Sequence, residues 1–148
     1  MNNQSAMIID DNGDDRYLLK RVLKKAGFQS KVFEAENGQV ALDMFHNEEE
    51  LMKEFPDSFP PKIIFLDINM PIMGGFEFLD HFNELKRQKD NLHTVVFAMF
   101  TSSERKEDVE KATAYDFVHG VVTKGNLTPD GLKVMIKEKF PDVIFEAE

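Results

Sequence analysis

The sequence predicts a doubly wound α/β fold in which five parallel strands form an open sheet with helices on both faces. Two observations predict this class. Short apolar runs alternate along the chain with segments whose apolar residues recur at helical spacing. The strongest run, residues 63–66, is apolar without alternation, which is typical of a central parallel strand covered on both faces. Strands that alternate with helices imply right-handed crossovers and a parallel sheet.

In the first half of the chain, residues 6–9 form the first predicted strand and residues 31–35 the second. Gly27 is expected to end the helix between them, and the pair Asn37 and Gly38 to open the next helix. The apolar residues predicted to face inward from these two helices are Leu18, Leu19, Val22, Leu23, Ala26, Val40, Ala41, Met44 and Phe45.

In the second half, the strand at residues 63–66 ends abruptly at Asp67, and a helix begins near residue 76. Residues 94–100 and 120–123 form the last two predicted strands, separated by a helix near residues 104–114. Thr128 is expected to cap the final helix, with Pro129 in its first position.

Length and composition predict one soluble domain over residues 1–148. Residues 47–61 contain three consecutive Glu and three Pro, and we expect a polar insertion there, made of a helix extension and an exposed loop. No secretory pattern begins the chain and it has no cysteine, which favours a cytoplasmic protein. The net charge of −9 disfavours direct binding to nucleic acid or to anionic membranes.

Polar side chains stand at the carboxyl ends of four predicted strands. Asp10 and Asp11 follow the first, Asp67 the third, Thr101 the fourth and Lys124 the fifth. Such ends meet at the edge of an open α/β sheet where ligands bind. Three carboxylates gathered there would repel one another without a cation, and oxygen ligands suit a hard ion such as Mg²⁺ or Mn²⁺.

This set of side chains suits phosphoryl transfer to an aspartate. Asp67 is the best placed carboxylate to attack a phosphorus centre and form an aspartyl phosphate. Lys124 would pair with phosphoryl oxygens, and the Thr101 hydroxyl would donate a hydrogen bond to another.

Each of these residues alone has a simpler interpretation. Asp10 and Asp11 could cap a helix, Asp67 could lie in a turn, and residues 101–104 match a capping box. A single lysine such as Lys124 at a strand end is usually solvated. Four such coincidences at four different strand ends would be needed together, and the functional interpretation is therefore favoured.

Several short motifs of the sequence resemble those of a known family. Residues 9–12 (IDDN), 65–75 (FLDINMPIMGG) and 101–102 (TS), together with Lys124, resemble the receiver domain of two-component response regulators. The resemblance covers nearly the whole chain and is strongest to single-domain regulators, including chemotaxis-type and phytochrome-associated members. It implies a flavodoxin-like fold with strand order 2-1-3-4-5.

The resemblance also implies roles for the metal-site residues. Asp67 would be the phosphoacceptor, Asp11 the main metal ligand, and Asp10 a metal-site carboxylate that acts largely through water. Asn69 would lend its backbone carbonyl to the metal. The implied donor is a phosphohistidine on a sensor histidine kinase or a phosphotransfer protein. The implied target is a downstream protein. The resemblance leaves open whether the protein forms a homodimer.

For the switch, the resemblance implies that Thr101 follows the phosphoryl group and that Lys124 bridges it. Two positions depart from the family pattern. Val121 stands where the family commonly has Tyr or Phe, and Gly125 stands where it usually has a Pro after a cis peptide. Both bear on how phosphorylation reaches the surface formed by the helix after the fourth strand, the fifth strand and the last helix.

The chain is expected to be a phosphoacceptor rather than an enzyme, although it could catalyse its own phosphorylation and dephosphorylation. One alternative is a phosphohydrolase similar to the haloacid dehalogenase superfamily. Those enzymes usually carry a second Asp two residues after the nucleophile, where this chain has Asn69, which cannot titrate. Another alternative is a receiver-like adaptor that is never phosphorylated.

Overall fold

A computed structural model of the protein describes residues 5–89, 92–101 and 105–141. Within these residues one sheet contains five parallel strands in the order β2-β1-β3-β4-β5. The predicted fold class and strand order are therefore confirmed. The strands are β1 (Ala6–Ile9), β2 (Val32–Ala35), β3 (Ile63–Asp67), β4 (Val95–Thr101) and β5 (Val121–Thr123).

Six α-helices connect and flank these strands in the part of the chain that the structure describes. A short 3-10 helix, Lys124–Asn126, joins β5 to the last of them. None of the described helices is long and apolar enough to cross a membrane. The helices are α1 (Gly13–Ala26), α2 (Gly38–His46), α3 (Glu48–Glu54), α4 (Gly75–Gln88), α5 (Lys106–Thr113) and α6 (Pro129–Lys139).

The sheet separates two apolar cores. Alternate residues of β3 point to opposite faces, so Ile63 and Phe65 join the core formed with α1 and α6. Ile64 and Leu66 join the core formed with α2 and α4. All four side chains are fully buried, which explains why this run shows no polar alternation.

Side-chain caps fix where the helices start. The Asn12 side chain accepts hydrogen bonds from two backbone amides of the first turn of α1, and the Asn37 side chain accepts one from the Val40 amide at the start of α2. Thr128 caps α6, with Pro129 in its first turn. Gly27 ends α1 with a φ of 97°, a left-handed conformation that glycine adopts without steric cost. The boundaries predicted at Asn37, Thr128 and Gly27 are confirmed.

One side chain of α1 differs from the sequence prediction. Leu18, expected to face inward, is 57% exposed, whereas Leu19 is buried. Neighbouring residues on a helix lie about 100° apart, so a narrow buried stripe can hold one of the pair and exclude the other.

The segment at residues 47–61 forms a separate helix, α3, followed by a loop. The expectation that this loop is exposed is wrong at Phe59, which is fully buried. Its ring contacts those of Phe33 and Phe45, with centroid distances of 5.4 and 5.5 Å. The loop therefore contributes an aromatic side chain to the core on the α2 and α4 face.

Candidate functional site

The carboxyl ends of β1, β3, β4 and β5 bring the predicted side chains to one edge of the sheet. Asp10 and Asp11 follow β1, and Asp67 is the last residue of β3. Thr101 ends β4 next to Phe100, the residue that pairs with Asp67 in the sheet.

Three carboxylates lie close enough to share a cation. One oxygen from each of Asp10, Asp11 and Asp67 lies within 4.8 Å of the others. Asp10 and Asp67 are buried, whereas Asp11 is exposed. A cluster of oxygen donors that is open to solvent on one side fits a hard divalent cation that keeps several of its waters.

Burial changes the acidity of Asp67. Removal from solvent, the charge of Asp10 and, to a smaller extent, that of Asp11 raise the pKa of this carboxyl, and Lys124 opposes them. The resulting pKa is about 6, compared with an ordinary value of 3.8. A cation bound among these carboxylates would favour the ionised form.

The Lys124 ammonium contacts three carboxylates. Its Nζ lies 2.9 Å from Asp10 Oδ2, 2.8 Å from Asp15 Oδ2 and 3.4 Å from Asp67 Oδ1. Burial alone lowers the pKa of Lys124, but the hydrogen bonds to Asp15 and Asp10 and the negative charges of Asp67 and Asp10 together outweigh it, and the net shift is upward. The side chain therefore stays charged at the edge of the cluster.

Asp15 is a residue of the site that was not predicted from the sequence. This residue lies one helical turn after Asp11, in the first turn of α1. Helical side chains tilt towards the amino-terminal end of their helix, and a carboxylate at this position can therefore reach back to the end of the preceding strand. That spacing is the signal that could have identified it.

Arg16 was also missed, and it braces the loop between β1 and α1. Its guanidinium donates a hydrogen bond to the Asp10 carbonyl oxygen at 2.6 Å and pairs with Glu34 of β2 at 3.1 Å. The Asn12 amide donates to Asp10 Oδ1 at 2.9 Å. These contacts fix both the backbone and the side chain of Asp10.

The loop after β3 runs very close to the Asp67 backbone. The Gly75 amide donates to the Ile68 carbonyl at 2.9 Å. A Cβ on Gly75 would lie 2.5 Å from the Asp67 carbonyl oxygen, which only glycine avoids. Asn69 is exposed in this loop and lines a cavity together with Thr101.

A family model described as the response regulator receiver domain matches residues 6–137. The chain belongs to this family. Among curated relatives of the receiver domain, sporulation initiation phosphotransferase F of Bacillus subtilis (strain 168) is 32% identical over 100 residues, which are 68% of each protein. Sensor histidine kinase CheAY of Helicobacter pylori is 29% identical over 104 residues, but the chain spans only 12% of its length.

Solved structures share the receiver fold over almost the whole chain. A two-component response regulator from Cytophaga hutchinsonii has a TM-score of 0.77 at 24% identity, covering 96% of this chain and 100% of that one. The Mn²⁺-bound response regulator Rcp1 has a TM-score of 0.69 at 22% identity, covering 97% and 99%. The receiver domain of Ssk1 from Saccharomyces cerevisiae, co-crystallised with the phosphotransfer protein Ypd1, has a TM-score of 0.71 at 20% identity, covering 92% and 88%.

Val121 and Gly125, the two residues that depart from the receiver pattern, both lie in the described part of the chain. Val121 is partly buried and packs against the core on the α2 and α4 face. Gly125 lies in the 3-10 helix after β5, and its peptide bond to Lys124 is trans, since the described residues contain a cis peptide only at Phe59-Pro60. The predicted capping box at residues 101–104 lies outside the described residues, except for Thr101.

Proposed function

We propose that Asp67 accepts a phosphoryl group from a phosphohistidine in a reaction that depends on a divalent cation. The observation that carries this proposal is the position of the buried Asp67 carboxylate. It lies within 4.8 Å of oxygens of Asp10 and Asp11 and 3.4 Å from the Lys124 ammonium. This arrangement combines an acceptor with positive charge at the place where the phosphoryl oxygens would lie.

In the proposed step an Asp67 carboxylate oxygen attacks phosphorus. A P–O bond forms, the P–N bond to the donor imidazole breaks, and the bonding electron pair stays on nitrogen, which takes up a proton. The Lys124 ammonium would pair with one phosphoryl oxygen and the Thr101 hydroxyl would donate to another. Acceptance stops after one phosphoryl group, so the protein acts as a switch rather than as an enzyme with external turnover.

Asp10, Asp11 and Asp67, with the backbone carbonyl of Asn69, would hold Mg²⁺ or Mn²⁺. The three carboxylates present a hard, all-oxygen donor set, which fits either ion. When bound, the cation would neutralise charge on the phosphoryl oxygens. The Mn²⁺-bound regulator Rcp1, which shares this fold, supports the same class of ion here.

Phosphorylation would change the surface that meets a downstream protein. A doubly charged group on Asp67 would draw Thr101 and Lys124 inward and favour one of two loop arrangements. The proposed output surface is formed by α5, β5 and α6. Val121 stands where the family commonly has an aromatic residue, so no ring rotates at this position to carry the signal.

The proposed donor is a sensor histidine kinase or a phosphotransfer protein, and the co-crystal of Ssk1 with Ypd1 supports this class of partner. We further propose that residues 1–148 act as one receiver unit in the cytoplasm, with residues 47–61 as an insertion.

The decisive experiment is incubation with Mg²⁺ and acetyl phosphate, followed by intact mass measurement. We expect the mass of one phosphoryl group on the native protein and none on Asp67→Asn. A native protein that stays unmodified, also with a purified phosphohistidine donor, would favour the unphosphorylated adaptor. Repeated release of phosphate from small phosphomonoesters would favour the phosphohydrolase.

A further inference from the structure

Asp15 is a fourth carboxylate near the three that cluster at the site, and it contacts Lys124. Of the three Asp partners of Lys124 described above, Asp15 makes the shortest contact, at 2.8 Å. Asp15 is not one of the three clustered carboxylates that could share a cation. Its contact with the site runs through the Lys124 ammonium.

The start of α1 fixes the position of Asp15. The Asn12 side chain accepts a hydrogen bond from the Asp15 amide at 3.1 Å and one from the Asp14 amide at 2.9 Å. This cap holds the first turn in place, and the positive end of the helix favours a carboxylate there. Asp15 is therefore held against Lys124 before any ligand arrives.

We propose that Asp15 is a positioning residue that holds Lys124 on the α1 side of the site and competes with the phosphoryl group for its ammonium. An ammonium has three N–H donors, and carboxylates of Asp10 and Asp15 each accept a hydrogen bond from it. Asp67 Oδ1 lies 3.4 Å from the same ammonium, so a phosphoryl group on Asp67 would share Lys124 with Asp15 or displace Asp15 from it. This inference rests on the proposed function of Asp67.

The simplest rival explanation is that Asp15 only stabilises the start of α1 through its charge. The chain offers a matched control in Asp14, an acidic residue of the same first turn whose amide bonds to the same cap. Asp14 is exposed, and among the described residues no ion pair involves its side chain. A helix-end effect would be similar for both residues, whereas competition for Lys124 belongs to Asp15 alone.

The test measures the affinity of the Mg²⁺-loaded protein for beryllofluoride, a small anion that mimics a phosphoryl group on a carboxylate. We expect Asp15→Asn to bind beryllofluoride about fivefold more tightly than the native protein, since one partly exposed ion pair no longer competes. Asp14→Asn should change the affinity less than about twofold. Asp15→Glu, which keeps the charge, should return the affinity close to the native value.

A double-mutant cycle tests whether Asp15 acts through Lys124. In a Lys124→Gln background, Asp15→Asn should no longer tighten beryllofluoride binding. An equal gain in that background, equal effects of Asp14→Asn and Asp15→Asn, or weaker binding by Asp15→Asn would each overturn the proposal. Thermal unfolding of the variants checks that they are folded.

The proposed function and this inference fail in different ways. A native protein that neither binds beryllofluoride nor reacts with acetyl phosphate would contradict the phosphoacceptor role of Asp67. A native protein that does both, with an Asp15→Asn variant that behaves like Asp14→Asn, would contradict the positioning role alone.

Discussion

At the scale of single residues, Asp67 is an acid whose surroundings favour its protonated form. Burial and the charge of Asp10 raise its pKa from 3.8 to about 6. The folded protein therefore holds this proton more tightly than the unfolded chain does. Well below pH 3.8 both states are protonated and there is no penalty. As pH rises from 3.8 to about 6 the free energy of unfolding falls, and it stays lower above that range.

Replacing Asp67 by Asn should consequently stabilise the metal-free protein at neutral pH. We expect a gain of about 1 to 3 kcal/mol in the free energy of unfolding near pH 7.5, falling towards zero near pH 4. Urea unfolding in the presence of a chelator measures this gain in the free energy of unfolding at both pH values. Asp14→Asn serves as an exposed control, and a native protein more stable than Asp67→Asn at neutral pH would contradict the assignment.

A second residue-scale prediction concerns Ile72, in the loop after β3. This β-branched residue has a φ of 68°, in the left-handed region, and is 79% exposed. The conformation costs on the order of 1 to 3 kcal/mol for such a side chain, and little of the side chain is buried in return. Ile72→Asn should raise the free energy of unfolding by about 1 kcal/mol, since Asn tolerates this region.

Val134 provides the control for Ile72. It is 58% exposed but lies within α6, where Val and Asn have similar helix propensities. Val134→Asn should leave the free energy of unfolding nearly unchanged. Equal urea midpoints for native protein and Ile72→Asn would show that the left-handed conformation carries no cost in this loop.

At the scale of elements, the start of α4 is tied to the end of β3. A methyl group on Gly75 would meet backbone atoms of Asp67 and Ile68 at 2.5 and 3.1 Å. These atoms cannot move aside like a flexible side chain. Gly75→Ala should therefore cost about 1 to 3 kcal/mol of stability and slow the reaction with acetyl phosphate, because it displaces the acceptor.

The control for that change is Gly120→Ala. A Cβ on Gly120 would meet no atom within 4 Å. We expect its stability and its rate of phosphorylation to stay close to the native values. Unfolding curves and the mass assay measure both quantities for the pair, and equal behaviour of the two variants would mean that the β3 to α4 junction relaxes without cost.

Element positions could be predicted from sequence where local signals are strong. Asn37, Thr128 and Gly27 mark helix ends through their own backbone and side-chain chemistry, and the structure uses all three. The burial of Phe59 could not be predicted, because its segment has no periodicity and only tertiary contacts with other Phe rings decide it. The strand order came from the family resemblance, since periodicity does not specify which strands are neighbours.

Some residues of the candidate site could likewise be predicted from the sequence and others could not. Asp10, Asp11 and Asp67 were expected together because parallel strands deliver their carboxyl ends to one edge. Asp15 and Arg16 were missed because their contacts depend on how the first turn of α1 is oriented relative to β1. A search one helical turn beyond each strand end would have included Asp15.

At the scale of the whole molecule, a cation bound by Asp10, Asp11 and Asp67 should increase the stability of the folded protein. A cation that binds only the folded protein adds stability, by about 2.7 kcal/mol at a concentration 100 times its dissociation constant. We expect Mg²⁺ to raise the melting temperature of the native protein, and to raise that of Asp11→Asn much less. Asp14→Asn should respond like the native protein.

Sodium chloride at matched ionic strength controls for screening of the net charge of −9. An identical rise with Mg²⁺ in the native protein and in Asp11→Asn would mean that the stabilisation does not arise at the clustered carboxylates.

The turn that carries Lys124 also connects the site to the helices α1 and α6. It leads directly into α6, and α6 shares a core with α1, the helix that carries Asp15. Leu19 and Leu132 belong to this shared core. The ionic contact joins Asp15 to the turn before α6. The apolar contact joins α1 to α6 itself, so α1 holds this part of the chain at two places. A fluorine label on either helix should therefore change its resonance frequency when Asp67 is phosphorylated, although the label does not contact the aspartate.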